Sequence, residues 1–275
     1  MIPAIELNDG RSIPQLGIGT WPLNDSEVEQ VVVTATAVGY RHIDTAVRYG
    51  NETGVGEGIR RSGVDRAELF VTTKLDGPYQ GEGRAIVGLQ DSLDRLGLEY
   101  IDLLLLHWPA PWLGRYVDTW KTFEKLKADG LARSIGVSNF KVAHLQTLAA
   151  ETDTVPAVNQ IQLDPRISRS AQRAYGKEHG IVTQSWSPLG GASSTLLDEP
   201  AIVKMAQRHS RSPGQVVLRW HVQNGLVVIP KSADPARLAM NAAVFDFVLD
   251  ADDLAEIAAL DEGADAGNDS DRTGH

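Results

Sequence analysis

Residues 101–139, IDLLLLHWPAPWLGRYVDTWKTFEKLKADGLARSIGVSN, decide the fold class. The run IDLLLLH (101–107) is apolar almost throughout, which suits a strand covered on both faces. YVDTWKTFEKLKADG (116–130) is an amphipathic helical stretch that ends on a glycine stop. SIGVSN (134–139) returns to the strand pattern. Strand, helix and strand in this order imply a parallel sheet.

Working outward, the alternation continues in both directions. LGIGT (16–20), HIDTA (42–46), LFVTTK (69–74), AVNQIQL (157–163), IVTQSWS (181–187) and VVIPKS (227–232) read as further strands. Between them lie helices such as EVEQVVVTATAVG (27–39) and SPGQVVLRWHVQ (212–223). The latter opens with a Ser cap followed by Pro at the favoured first-turn position. Eight strands with intervening helices predict an α/β fold, a (β/α)8 TIM barrel forming a single domain over residues 1–275. AIELNDGRSIPQL (4–16) reads as an N-terminal β-hairpin around Asp9-Gly10 that closes the barrel bottom. An open dinucleotide-binding sheet is the alternative. It is disfavoured because GIGTWP (17–22) and GVGEG (54–58) lack the strand, helix and distant acid of a full GxGxxG fingerprint.

Composition narrows the function. No apolar run nears the roughly 20 residues of a membrane span, and the first residues lack a basic start with an apolar stretch, so a cytoplasmic protein without membrane partners is expected. The chain has 0 cysteines, which removes disulfides, thiolate metal sites and cysteine nucleophiles together. The net charge of −10 sits mainly from Asp246 onward, where ten acids face Arg272 alone. The remaining body is nearly neutral and has no basic run for phosphates, so nucleic acid is excluded as the main partner. The acidic end reads as a solvated helix face and tail. A monomer is expected.

A barrel of this kind carries its site where the strands end. The polar residues there are Thr20, Asp44, Lys74, His107, Ser138, Asn139, Gln160, Ser187, Lys231 and Ser232. Charged groups at the ends of apolar runs persist cheaply only when paired. Asp44, Lys74 and His107 end three successive strands, about 4.8 Å apart each, so their side chains can converge. Tyr49 follows in the loop AVRYGNE (46–52). A phenol near pKa 10 is a poor acid at neutral pH. A lysine ammonium beside it is expected to lower that value, with Asp44 holding the lysine and His107 bonding a polarised carbonyl oxygen. The set suits proton delivery to an oxygen gaining negative charge, as in aldehyde or ketone reduction. The protein has no hydride of its own, so a nicotinamide must supply it.

GYRHIDTAVRYGNE (39–52), FVTTKL (70–75), IDLLLLHWP (101–109), SIGVSNF (134–140), AVNQIQL (157–163), SWSPLG (185–190) and IPKS (229–232) together resemble the successive signatures of the aldo-keto reductases. The match covers nearly the whole chain and is most similar to bacterial members resembling 2,5-diketo-gluconate reductases. The resemblance implies an NADPH-dependent oxidoreductase of aldehydes, ketones or dicarbonyls, with Tyr49 as proton donor, Lys74 and Asp44 tuning it and His107 orienting the carbonyl. It also implies that Ser138, Asn139 and Gln160 hold the nicotinamide carboxamide and that Trp186 stacks on its ring. Ser187 and Leu189 would follow the pyrophosphate. Lys231, Ser232, Ala233, Arg237 and Asn241 would surround the adenosine end. Read directly, Lys231, Ser232 and Arg237 form a cationic and hydroxyl cluster suited to a 2′-phosphate, favouring NADPH over NADH. Trp21, Trp108 and Trp112 follow strand ends and are candidate walls of a substrate slot.

The chain departs from the family pattern in places. Met240 stands where many relatives have an acid, and Asp76 where close relatives often have Trp. QIQLDP (160–165) replaces QIELHP, and the chain stops at DRTGH where relatives continue into a loop over the pocket. His42, His144, His179, His209 and His221 show neither metal-ligand spacing nor paired acids, so no metal is expected. Gly54, Gly56 and Gly58 read as packing positions, because phosphate residues lie elsewhere. Two rivals stand beside the reductase: a Schiff-base lyase acting through Lys74 or Lys231, and a non-catalytic sensor that binds a dinucleotide.

Overall fold

The alternating faces of the apolar runs explain the architecture. In the strand Ile101–Leu106, Leu103 and Leu105 join one buried cluster, while Ile101, Leu104 and Leu106 join another with Trp120, Phe123 and Leu126 of the following helix. One set faces the barrel interior and the other faces the helices, so both must be apolar. The computed structural model describes residues 2–191 and 193–275.

Ten strands and ten α-helices run in chain order among these residues. Strands β1 (Ala4–Glu6) and β2 (Ser12–Pro14) form the antiparallel hairpin, with Leu7 N–H bonded to Arg11 O at 2.8 Å and Gly10 at φ 81° in its turn. Buried Leu7 and Ile13 pack with Leu103, Leu105, Val158 and Val227, which caps the barrel bottom as expected. Strands β3 (Ile18–Gly19), β4 (His42–Asp44), β5 (Phe70–Leu75), β6 (Ile101–Leu106), β7 (Ala132–Ser138), β8 (Val158–Gln162), β9 (Val182–Trp186) and β10 (Val227–Val228) pair in parallel, each with the next. Leu16 bridges Val228, and the Gly17 N–H reaches Val228 O at 2.9 Å, which closes the sheet on itself. Closure leaves the eight-stranded sheet without a free edge among the described residues.

The strand expected over 227–232 is shorter than its sequence run. Pro230 has no N–H to donate, so ladder pairing stops and Lys231 and Ser232 leave the barrel as coil. Helices α1 (Asp25–Ala37), α2 (Glu52–Ser62) and α3 (Glu82–Leu96) sit very close together. A Cβ at Gly54 would lie 2.3 Å from Asp25 O, and one at Gly56 would lie 2.2 Å from Leu96 O. The packing reading of these glycines therefore holds. Gly56→Ala is expected to destabilise the fold by about 1–3 kcal/mol despite alanine's better helix propensity. A urea midpoint equal to the parent's would refute this.

The acidic end is solvated along most of its length, with Asp246, Asp250, Asp252, Asp261, Glu262 and Asp265 exposed, but several of its acids also tie it to the body. In helix α10 (Ala251–Ala258), Asp253 is fully buried and pairs with Arg208 and with His209 Nε2, the latter at 2.7 Å. Beyond it, Asp269 and Asp271 lie 2.5 and 2.6 Å from Lys141 Nζ, and Asp271 is 3.0 Å from His144 Nε2. Two histidines read as lacking paired acids thus have them. The partners lie far apart in sequence, so no local spacing announces them.

Candidate active site

Three strand ends build the centre. Asp44 closes β4, Lys74 is the penultimate residue of β5 and His107 follows β6. Lys74 Nζ donates to Asp44 Oδ1 at 2.5 Å, to Thr45 O at 2.9 Å and to the Tyr49 hydroxyl at 3.2 Å. All three ammonium protons are therefore directed. Asp44 Oδ2 accepts from Gln160 Nε2 at 2.7 Å and Gln184 Nε2 at 3.3 Å. Asp44 and Lys74 are both buried, and the carboxylate is saturated by a cation and two amides. Sequence reasoning passed over Gln184; its signal was a polar side chain inside the buried run IVTQSWS.

The electrostatics correct one expectation. Burial raises the Tyr49 hydroxyl above its usual value of 10.0; the Lys74 charge pulls the other way but does not overcome it. The predicted net lowering is absent, because desolvation of the phenol outweighs the pull of the ammonium. Burial alone would lower Lys74, yet Asp44 and Tyr49 outweigh it and raise the amine above 10.5. At neutral pH the pair is a protonated phenol beside a charged lysine.

His107 faces the same centre, its ring 5.8 Å from that of Tyr49 at a steep angle. Its Nδ1 lies 2.5 Å from Asp76 Oδ1, and its Nε2 has no hydrogen-bond partner among the described residues. Burial lowers the imidazole below 6.5, opposed by the Asp76 hydrogen bond. His275 lies nearby, its ring 5.0 Å from His107 and 5.8 Å from Trp108, while its carbonyl accepts from Gly77 N–H at 3.0 Å. The acid–base pairs on Lys141 and His144 thus lead the last residues back to the barrel mouth, which the sequence reading did not foresee. Asp76, His107 and His275 are residues of metal-ligand type. However, two ligands bonded tetrahedrally at about 2.0 Å stand roughly 3.3 Å apart, and the Asp76–His107 separation of 2.5 Å is that of a hydrogen bond.

Around the next three strand ends, Ser138 Oγ donates to Gln160 O at 2.8 Å. Asn139, in the left-handed region at φ 63°, donates from Nδ2 to His107 O at 3.0 Å and accepts from Trp186 Nε1 at 2.9 Å. Ser138, Asn139, Gln160 and Trp186 are therefore one connected group beside His107. Ser187 also has a left-handed backbone, φ 49°, a strained state that clusters at functional turns. Leu189 packs its side chain on the core.

Further round, Ser232 and Asn241 are buried, whereas Lys231, Ala233 and Arg237 are exposed. Asp234 caps helix α9 (Pro235–Ala242) and lies 3.9 Å from Arg237 Nε, an acid within the cationic cluster that the sequence reading left out. Trp21 is exposed with its ring 5.4 Å from that of Tyr49, and Trp108 is buried against His275. Trp112, on the loop after β6, is exposed like Trp21 and makes no aromatic contact among the described residues.

The profile of the Aldo/keto reductase family matches residues 14–262. An aldo-keto reductase of Mycolicibacterium smegmatis is 48% identical over 269 residues, covering 98% of this chain and 97% of its own. Methylglyoxal reductase DkgA of Escherichia coli K12 is 46% identical over 270 residues, covering 98% of each. Among solved structures, a Gox0644 variant in complex with NADPH superposes with a TM-score of 0.95 at 43% identity over 100% of both chains.

Proposed function

The chain belongs to the aldo/keto reductase family, and on that premise we propose that it reduces small aldehydes, ketones or dicarbonyls with NADPH, Tyr49 being the proton donor. The observation that carries the proposal is the buried ammonium of Lys74 held between the Asp44 carboxylate and the Tyr49 hydroxyl at 3.2 Å. A protonated phenol at neutral pH is the form that a proton donor needs. As the proton leaves, negative charge grows on the Tyr49 oxygen, and the ammonium stabilises it. Asp44, with Gln160 and Gln184, keeps Lys74 charged and in place. His107 Nε2 faces the substrate oxygen.

The donor set fits the cofactor. NADPH supplies the hydride when bound. Ser138, Asn139 and Gln160 offer hydroxyl and amide groups for its carboxamide, and the half-buried Trp186 indole, pinned through Nε1, offers a face to its ring. The left-handed turn at Ser187, continuing to Leu189, suits the pyrophosphate. Lys231, Ser232, Ala233, Arg237 and Asn241 hold the adenosine end. A Schiff-base role for Lys74 is at odds with three directed ammonium protons. Trp21 and Trp108 line the substrate slot. The name of the Escherichia coli relative supports a dicarbonyl such as methylglyoxal as substrate. One closed sheet drawn from most of the chain supports a single domain, which we place in the cytoplasm as a monomer.

A carbonyl panel run with NADPH and NADH side by side tests the reading; no turnover with either coenzyme would overturn it. In the same assay, Lys231→Ala and Arg237→Ala are expected to raise KM for NADPH about tenfold or more, as the loss of a charge-assisted phosphate contact does. NADH use should barely change. Equal weakening of both coenzymes would remove these residues from 2′-phosphate recognition.

A further inference from the structure

The mechanism above does not use the Asp76 carboxylate, although it is buried and bonded to the side chain that meets the substrate. Resting on the carbonyl-reduction reading, we propose that Asp76 is a positioning residue that fixes the single proton of neutral His107 on Nδ1. His107 then donates to a substrate carbonyl only as imidazolium.

The chemistry follows from counting donors and lone pairs. A neutral imidazole has one N–H, and an ionised carboxylate only accepts. With Asp76 Oδ1 2.5 Å from Nδ1, that N–H is on Nδ1. Nε2 is then a bare lone pair without a partner among the described residues. A carbonyl oxygen is also an acceptor, so neutral His107 and a substrate carbonyl present lone pairs to each other. A second proton on Nε2 turns the contact into a charge-assisted hydrogen bond. In the reverse direction the bare Nε2 suits an alcohol, whose O–H can donate to it. Asp76 thus makes a residue that would merely orient the carbonyl depend on its protonation state. Where close relatives have Trp at this position, no carboxylate imposes that tautomer.

The surroundings set the direction of the pH dependence. Lys74 with Asp44 lies on one side and the Tyr49 ring on another. The His275 ring is 5.0 Å away, with Arg48 close enough to influence it. Burial and the Lys74 charge favour the neutral ring, against Asp76 and, more weakly, Asp44. The imidazolium is therefore a minority form at neutral pH, and kcat/KM for reduction rises as pH falls until His107 is fully protonated.

The test compares the parent, Asp76→Asn and Asp76→Leu. Asparagine can still accept from Nδ1–H but carries no charge, so the tautomer persists and the imidazolium is harder to form. Its kcat/KM profile should move about one pH unit or more lower, a tenfold loss at neutral pH. Leucine neither accepts nor charges, so Nε2–H becomes available and the acid-favoured limb disappears. Nitrogen NMR of the His107 ring in the NADPH-bound protein reads the tautomer directly. A protonated Nδ1 and bare Nε2 are expected in the parent and the Asn variant, and the reverse in the Leu variant. A parent with Nε2–H, or the same pH limb in all three proteins, overturns the proposal. Failure of the parent to reduce any carbonyl counts instead against the reductase reading, and the nitrogen spectrum still decides the tautomer.

Discussion

Tyr49→Phe is expected to lower kcat for carbonyl reduction by about 10²–10⁴-fold, the usual contribution of a positioned general acid, while NADPH affinity stays near the parent's. The substitution removes one oxygen and keeps the ring. The contacts that seat the ring, 5.4 Å from Trp21 and 4.9 Å beneath Lys74 Nζ, do not depend on the hydroxyl. Lys74 loses one of its three acceptors but keeps Asp44 and Thr45 O, so the buried pair and the fold survive. The residues proposed to hold NADPH lie on other strand ends, which is why binding and turnover should separate. Steady-state reduction and NADPH fluorescence titration measure the two effects. A kcat within about tenfold of the parent would mean that the proton comes from another group.

How legible this site was in the sequence depends on how local each signal is. Asp44, Lys74 and His107 stood out because each is a charged or polar residue closing an apolar strand, and barrel geometry dictates that adjacent strand ends meet. Register within the sheet needs no long-range information once the strands are in order. The Asp76–His107 bond and the path of residues 263–275 were not legible. They depend on loop shape and on acids 128 and 130 positions from Lys141, which composition shows only as an excess of negative charge. The direction of the Tyr49 shift was misread for a related reason. The neighbouring ammonium is visible in the motif, whereas the depth of burial opposing it belongs to the folded packing. Trp112 looked equivalent to Trp108 by its place after a strand, yet one is exposed and the other buried.

Lys74→Met should separate what the buried pair does for the fold from what it does for the reaction. Methionine replaces most of the aliphatic stem, so the loss is chiefly electrostatic. Asp44 keeps its bonds from Gln160 and Gln184 but stays as a carboxylate in a site from which water is excluded, with no cation. Removing one partner of such a pair costs about 3–5 kcal/mol, and a large fall in the urea midpoint is expected. Adding Asp44→Asn removes the stranded charge, and an amide still accepts from the two glutamines. The double variant should therefore recover most of the lost stability, because replacing both members of a buried pair is often neutral. Turnover should not recover. Burial pushes the Tyr49 phenol up, Lys74 is the group that holds it down, and with the ammonium gone a phenolate there has nothing to stabilise it. Urea denaturation and carbonyl reduction on the parent, the single and the double variant decide the matter. A double variant that regains activity would place the role of Lys74 in structure alone, and one as unstable as Lys74→Met would show that the cost lies in packing and not in an uncompensated charge.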